Sequence, residues 1–99
     1  MANTFYVDVH GTWRWYNEAG QLHRLDGPAV ECVDGTSAWY KHGTLHRVDG
    51  PAFELANGYK EYRLEGKRYS NLEDFCNDAG ITGKHKTLLL LKHSLCLIQ

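Results

Sequence analysis

The sequence predicts a mainly β fold: an antiparallel β-meander of three repeated hairpins, followed by one or two C-terminal helices. The first observation is a repeat, because residues 22–29 return almost unchanged as residues 45–52. A fixed offset of this length is typical of a repeat array. The second is a glycine four positions before Trp or Tyr in every copy, as Gly35 precedes Trp39. The third is a change to helical spacing after residue 69, so one domain divides into a repeat sheet (1–69) and a helical segment (70–99).

Each repeat is predicted to form a hairpin closed by a two-residue turn. The strands are predicted at residues 4–9, 12–16, 29–33, 36–40, 52–56 and 59–64. The turns between them are His10-Gly11, Asp34-Gly35 and Asn57-Gly58. Asp-Gly and Asn-Gly favour a type I′ turn, which needs positive φ at both central residues. Directly opposed residues share one side of a sheet. Counting back from these turns therefore predicts a core-facing row of Tyr6, Trp15, Val30, Trp39, Phe53 and Tyr62.

The opposite face of the predicted sheet is the candidate partner-binding surface. Under this register Glu54 faces Glu61, and two opposed carboxylates would repel strongly in a dry core. That face must therefore be wet or bound to something; the alternative to binding is a face that is only solvated or is covered by a helix. Tyrosine and arginine are favoured at the dominant positions of protein interfaces. The predicted partner-binding residues are Arg14, Tyr16, Glu31, Tyr40, Glu54, Glu61 and Arg63.

Two Asp-Gly-Pro-Ala corners carry His23, Arg24, His46 and Arg47, which are candidate ligand-binding residues. Proline fixes its own φ and pushes the preceding glycine toward extended conformations, so the motif turns the chain between hairpins. Metal ligands converge on one point, whereas equivalent repeat positions are spaced along a row, so no metal site is predicted. No cofactor is predicted either. The alternative to ligand binding is structural packing, with both arginines paired to the acidic neighbours Asp26, Glu31, Asp49 and Glu54.

The C-terminal segment is predicted to form two helices. Ser70 and Glu73 fit a capping box, with Ser70 as N-cap and Glu73 at N3. Gly80 suits the position after the helix end. A second helix is predicted from about residue 83 to 95, and its apolar surface exceeds what a small sheet needs. We expect a homo-oligomer contact through Leu88, Leu91 and Leu95, or, alternatively, a helix that only caps the sheet.

Composition limits the classes of function. The formal net charge is −1, which gives no basic field to hold nucleic acid. The longest apolar run, residues 88–91, is too short to span a bilayer, so no membrane partner is predicted. Cys32, Cys76 and Cys96 form no C-x-x-C pair, which favours reduced thiols in a cytosol. No nucleophile–base arrangement, phosphate loop or helical His pair is present, so no enzymatic activity is predicted.

At the repeated residues the chain resembles MORN-type repeat proteins. The Trp-Tyr, Gly-x-Leu-His-Arg and Asp-Gly-Pro-Ala steps are similar to repeats in small proteins encoded by tailed bacteriophages and in proteins labelled as antitoxin variants. The resemblance covers about residues 10–70. It implies a β-meander with a binding role and brings no catalytic motif. His-Arg and Asp-Gly-Pro stand here where MORN repeats often carry Gly-rich steps.

Together these observations predict a non-catalytic protein-binding module that acts in the host cytoplasm. A phage-type inhibitor of a bacterial host enzyme or defence factor is the leading hypothesis. The alternative is an oligomeric protein that sequesters a nucleotide or another small anionic ligand. A third hypothesis is a purely structural or assembly protein.

Overall fold

A computed structural model describes the backbone of residues 4–98 and the side chains of residues 4–84 and 86–91. The strands are β1 Thr4–Val7, β2 Trp13–Tyr16, β3 Val30–Glu31, β4 Ser37–Ala38, β5 Tyr40–Lys41, β6 Thr44–Leu45, β7 Phe53–Glu54, β8 Lys60–Leu64 and β9 Lys67–Tyr69. The helices are α1 Leu72–Ala79 and α2 Gly83–Ile98. Seven strands form one antiparallel sheet in the order β1-β2-β3-β4-β7-β8-β9, and β5 pairs with β6 beside it. The predicted β-meander followed by helices is confirmed.

The main hairpins are closed by three-residue loops, so the predicted two-residue turns are wrong. In the second repeat the N–H of Cys32 donates to the carbonyl of Thr36 at 2.8 Å, which leaves residues 33–35 in the loop. Gly35 ends this loop with φ +98°. The carboxylate of Asp34 accepts the N–H of Thr36 at 2.9 Å, and this local bond favours the observed turn. Asp34 itself lacks the positive φ that a type I′ turn needs.

The longer loops shift the strand register by one residue. Tyr6 pairs with Arg14, and Phe53 pairs with Glu61. A one-residue slip moves a side chain to the other face of a sheet. The predicted core row is therefore divided: Trp15, Trp39 and Tyr62 lie on one face, while Tyr6, Val30 and Phe53 lie on the other.

Two-residue turns with positive φ occur elsewhere in the repeat. His42 and Gly43 have φ of 50° and 82°, between the paired residues Lys41 and Thr44. Glu65-Gly66 repeats this geometry in the next unit, with φ of 49° and 86°. Among the described residues, His42 and Glu65 are the non-glycine residues with positive φ. The type I′ signature thus belongs to the second turn of the second and third repeats, which the sequence signals less clearly.

The hydrophobic core lies at the C-terminal end, where α1 packs on β8 and β9. Phe75 is fully buried, with its ring 5.1 Å from that of Tyr62 and 5.8 Å from that of Tyr69. The other buried members of this cluster are Leu72, Cys76 and Ile81. Cys76 is a buried free thiol, as expected for a small apolar residue, and Cys32 is a partly buried one. The side chain of Cys96 lies outside the described residues.

Helix α1 is capped by Asn71 rather than by Ser70. The side-chain oxygen of Asn71 accepts the N–H groups of Glu73 at 2.8 Å and Asp74 at 3.3 Å. Both serine and asparagine are good N-caps, and the structure starts the helix one residue later than the capping box predicts. Gly80 ends the helix in the left-handed region with φ 78°, as predicted. In the described part of the chain, neither helix is long and apolar enough to cross a membrane.

We expect Asn71→Ala to lower the free energy of unfolding by about 0.5–2 kcal/mol, because two amide groups of the first turn lose their acceptor. The matched variant Ser70→Ala should change it by less than about 0.5 kcal/mol. Chemical denaturation followed by circular dichroism measures both. A larger loss for Ser70→Ala than for Asn71→Ala would restore Ser70 as the cap.

Candidate functional site

Each of the first two repeats holds an arginine over a tryptophan ring. The Cζ atom of Arg24 lies 4.4 Å from the centre of the Trp15 ring. The Cζ atom of Arg47 lies 4.0 Å from the centre of the Trp39 ring. A guanidinium over an indole is attracted by the negative face of the ring. The Leu-His-Arg step of the repeat therefore places its arginine back on the strand that precedes it.

The same arginines are bound to their own corner loops. The Nε of Arg24 donates to Asp26 at 3.1 Å, and its Nη1 donates to the carbonyl of Pro28 at 3.2 Å. The corresponding atoms of Arg47 donate to Asp49 at 2.7 Å and to the carbonyl of Pro51 at 3.3 Å. The loop thus closes around the guanidinium.

The predicted ion pairs of the corners are largely found. Arg24 also contacts Glu31 at 3.2 Å, in addition to its bond with Asp26. Glu54, in contrast, lies 3.7 Å from the Nζ of Lys60, its neighbour across the strand pair. The corner arginines are therefore structural elements of the repeat, whatever else they bind.

Glycine in the corner is required by space. Gly27 and Gly50 are buried, and a Cβ atom at either position would lie 2.8 Å from the Cζ of Arg24 or Arg47, respectively. Real Cβ atoms essentially never approach another atom so closely. Each guanidinium is therefore held between a tryptophan ring and a glycine backbone.

The two histidines join each repeat to the next. The Nδ1 of His23 accepts the N–H of His42 at 2.9 Å, and the Nδ1 of His46 accepts the N–H of Glu65 at 2.9 Å. Both donors are the first residues of the two-residue turns of the following repeat. Beside them, the carbonyl of Leu22 accepts the N–H of Gly43 at 2.8 Å. One ring nitrogen of each candidate histidine is thus used within the fold.

The surroundings of His23 favour its neutral form. It is only 7% exposed, and its ring lies 4.5 Å from that of His42. Burial, followed by the nearby His42 and Lys41, lowers the pKa of His23 from its ordinary value of 6.5. Among the described residues, no group of three His, Cys, Asp or Glu side chains could hold a metal ion.

An open groove lies between the two corners. Its volume is about 400 Å³, and its lining includes Trp39, Lys41 and His46 together with both corner arginines. Asp26 and Asp49 line it as well, so the arginine charges are matched there by carboxylates. Three of the four candidate ligand-binding residues, Arg24, His46 and Arg47, thus line one groove, whereas the buried His23 does not. Hydrogen bonds of the fold use most of the polar side-chain atoms of these residues.

Five of the seven predicted partner-binding residues share one face. Strand pairing and alternation place Arg14, Tyr16, Tyr40, Glu61 and Arg63 there. The other two are corrected by the new register: Glu31 pairs with Trp13, and Glu54 pairs with Ser37 and Lys60, all on the opposite side. The predicted opposition of Glu54 and Glu61 is wrong for the same reason.

The new register adds aromatic residues to that face, which we call the aromatic face. It consists of Tyr6, Arg14, Tyr16, Tyr40, Phe53, Tyr59, Glu61 and Arg63. Tyr6 packs edge-on against Tyr16 with their ring centres 5.8 Å apart, and Phe53 does so against Tyr59 at 6.5 Å. A three-residue loop that ends in glycine is the signal needed to find Tyr6 and Phe53 from the sequence. Tyr59 alternates with Glu61 and shares its face in either register.

Charged groups on the aromatic face are fixed by hydrogen bonds. Glu61 accepts a bond from the Tyr59 hydroxyl at 2.8 Å and another from the Nε of Arg63 at 2.8 Å. These two bonds are the main reason that the pKa of Glu61 is lowered. At the other end, Arg14 lies 2.9 Å from Asp8, and this bond lowers the pKa of Asp8 to about 2. Helix α1 packs on Tyr62, on the other side of the sheet, and does not cover this face, on which Tyr6 and Tyr59 are exposed and the other residues are partly buried.

No protein-family model matches this chain, and no curated protein or solved structure is significantly similar to it. The resemblance to MORN-type repeats therefore stays a prediction from the repeated residues.

Acid should destabilise the fold through His23. Because its pKa is lower in the folded state, the unfolded state binds a proton more readily, and the stability present above pH 6.5 is lost as the pH falls below that value. His23→Asn keeps an acceptor at the same place without a titrating group. We expect the unfolding free energy of this variant to fall less steeply than that of the wild type as the pH is lowered from about 7.5 to about 5.5, across the ordinary pKa of histidine. Urea titrations at each pH give these free energies. If the unfolding free energies of both proteins depend on pH in the same way, His23 does not have this role.

Crowding at the corner should be measurable as an energetic coupling. Gly27→Ala pushes the guanidinium of Arg24 off Trp15, and we expect a loss of about 1–3 kcal/mol of stability, typical of overpacking. The same change made together with Arg24→Ala should cost clearly less, because the atom that it strikes is gone. A double-mutant cycle in guanidinium chloride gives the coupling. Additive losses would contradict the proposed contact.

Proposed function

We propose that this chain is a non-catalytic protein-binding module, and that it inhibits a bacterial host enzyme or defence factor in the host cytoplasm by binding through the aromatic face. The observation that carries the proposal is the uncovered aromatic face itself. It combines Tyr6, Tyr16 and Tyr59 with charged side chains held in place by hydrogen bonds.

The composition of this face favours recognition of a protein. Tyrosine and arginine contribute large contact areas and directed hydrogen bonds, and both are enriched at hot spots of interfaces. Tyr59, Glu61 and Arg63 already hold each other in one arrangement, so little conformational freedom is lost on binding. The strands beneath them are joined by backbone hydrogen bonds and add rigidity.

The reactive side chains support a role without chemistry. Burial raises the pKa of the Cys76 thiol, which disfavours the nucleophilic thiolate. The Nδ1 atoms of His23 and His46 are occupied by backbone N–H groups, which removes them as simple general bases at that atom. A net charge of −1 disfavours a nucleic-acid partner. The target class, a bacterial host protein, comes from the resemblance to phage-encoded repeats.

The groove between the corners favours a second candidate function, an oligomer that sequesters a nucleotide or small anion. Arg24, Lys41 and Arg47 meet in this groove of about 400 Å³. An oligomer contact through α2 has some support, because Leu88 is 64% exposed and Leu91 is 55% exposed. The side chain of Leu95, the third residue of that predicted contact, lies outside the described residues.

Capture from a bacterial lysate tests the proposed binding surface. We expect the wild-type protein to retain one specific host protein, and Tyr40→Ala combined with Tyr59→Ala to weaken that binding about a hundredfold or more, as expected for two hot-spot residues. Val9→Ser combined with Val33→Ser is the control. These valines are 95% and 78% exposed in the hairpin loops, so their replacement should leave binding unchanged.

Binding constants are measured with the purified partner, after circular dichroism has shown that every variant is folded. Equal affinity of the tyrosine variant and the control would exclude the aromatic face. If no protein is captured and a nucleotide is released from the purified chain on denaturation, the sequestering function replaces this proposal.

A further inference from the structure

Strand β1 is an uncharged edge of the sheet. In the described part of the chain the sheet order begins with β1, and its four residues, Thr4–Val7, carry no charge. Phe5, Tyr6 and Val7 are 45%, 62% and 47% exposed, respectively. Proteins usually protect an edge strand with charges, proline or a covering element, because its free backbone groups pair readily with another strand.

The pairing pattern shows which backbone groups of β1 face outward. The N–H of Trp15 donates to Ala29 and its carbonyl accepts from His23, so both of its groups point away from β1. Phe5, which lies opposite Trp15, therefore directs its own N–H and C=O to the open edge. Because these directions alternate along a strand, Val7 does the same. The edge offers two donors and two acceptors at a spacing that suits an antiparallel strand.

The equivalent edges of the next two repeats are already occupied. The corresponding edge of β3 is paired with β2, and that of β7 is paired with β4. At these junctions the fully buried Ala29 and Ala52 leave room for the tryptophan of the preceding repeat. Phe5 takes the corresponding position in β1 and stacks on Trp13 at 5.2 Å with an interplanar angle of 9°. This edge is therefore unsuited to a further tryptophan-bearing repeat, although its backbone remains suitable for pairing.

We propose that two copies of this chain pair antiparallel through β1, about a twofold axis at Tyr6. In this register Phe5 lies opposite Val7 of the partner subunit, and the two pairs exchange four backbone hydrogen bonds. Tyr6 lies opposite Tyr6 of the partner subunit at the close, non-hydrogen-bonded position, where aromatic pairs are favourable. The exposed apolar side chains of both edges become buried, and the two seven-stranded sheets become one.

A second copy fits this edge better than the other edge of the sheet does. Strand β9 carries Lys67 and Arg68, so pairing of two β9 strands would bring like charges together. Pairing of β1 with β9 would be heterologous and would continue into open chains of molecules, whereas β1 with β1 closes as a dimer. Across the proposed twofold axis, Asp8 meets Thr4 of the partner subunit, and no like charges are opposed.

Opposite charges at position 6 test both the interface and its register. Tyr6→Lys and Tyr6→Glu each place like charges across the twofold axis and remove the aromatic pair, so we expect each homodimer to dissociate about tenfold more readily or worse. An equimolar mixture of the two variants should form a heterodimer again, because Lys and Glu then meet. Sedimentation equilibrium and native mass spectrometry measure the homodimers and the mixture.

Two further variants separate this interface from the alternatives. Val7→Pro removes an outward N–H that makes no bond within the sheet, so the monomer should stay folded while the dimer is lost. Leu88→Ser combined with Leu91→Ser should leave the dimer intact. A wild-type protein that is monomeric at high concentration would overturn the proposal. Homodimers of the Tyr6 variants that are as stable as the wild-type dimer, or a mixture that forms no heterodimer, would do so too. The same holds if the leucine variant loses the dimer while Val7→Pro keeps it.

Discussion

The contact on which the repeats depend is an arginine guanidinium held between an indole ring and a glycine backbone. In one small volume it joins Trp39, which lies between β4 and β5, with the corner that carries Gly50 and with the carboxylate of Asp49. A half-buried cation is favourable only when it is paired and hydrogen-bonded, and here the carboxylate of Asp49 and the carbonyl of Pro51 accept from the Nε and Nη1 of Arg47. The spacing of the whole Leu-His-Arg-x-Asp-Gly-Pro-Ala motif follows from this one arrangement.

The ends of the array replace that contact with other aromatic contacts. At the C-terminal end, Phe75 of α1 covers Tyr62, where an arginine covers the tryptophan in the earlier repeats. At the N-terminal end, Phe5 covers Trp13 and Trp15, where the interior repeats have alanine. Terminal repeats cannot bury their faces against a neighbour, so they need side chains of a different size.

The sequence predicts the period, the meander, both helices and the ion pairs of the corners, because these depend on residues close together in the chain. It fails on the register, because a Gly after Asp or Asn fits both a two-residue turn and a three-residue loop. The side-chain bond from Asp34 to the N–H of Thr36 selects the longer loop, and a pattern of residue types does not contain that bond. One residue of error then assigned Tyr6 and Phe53 to the core and Glu31 and Glu54 to the binding face. Tyr16, Tyr40, Glu61 and Arg63 are predicted on the correct face, because the returning strands keep their alternation and only the outgoing strands change face.

The histidine that joins one repeat to the next makes the array extensible. The side chains of His23 and His46 each accept a hydrogen bond from the turn of the following unit, and Leu22 and Leu45 accept from the glycine of that same turn. A copy of one internal unit inserted between the first and second repeats would meet the same neighbours on both sides, and neither end would need a new side chain. Gene duplication in steps of one unit would lengthen the sheet, and with it the aromatic face, while the capping residues stayed unchanged. The length of this protein is therefore a property that natural selection could adjust separately from its fold.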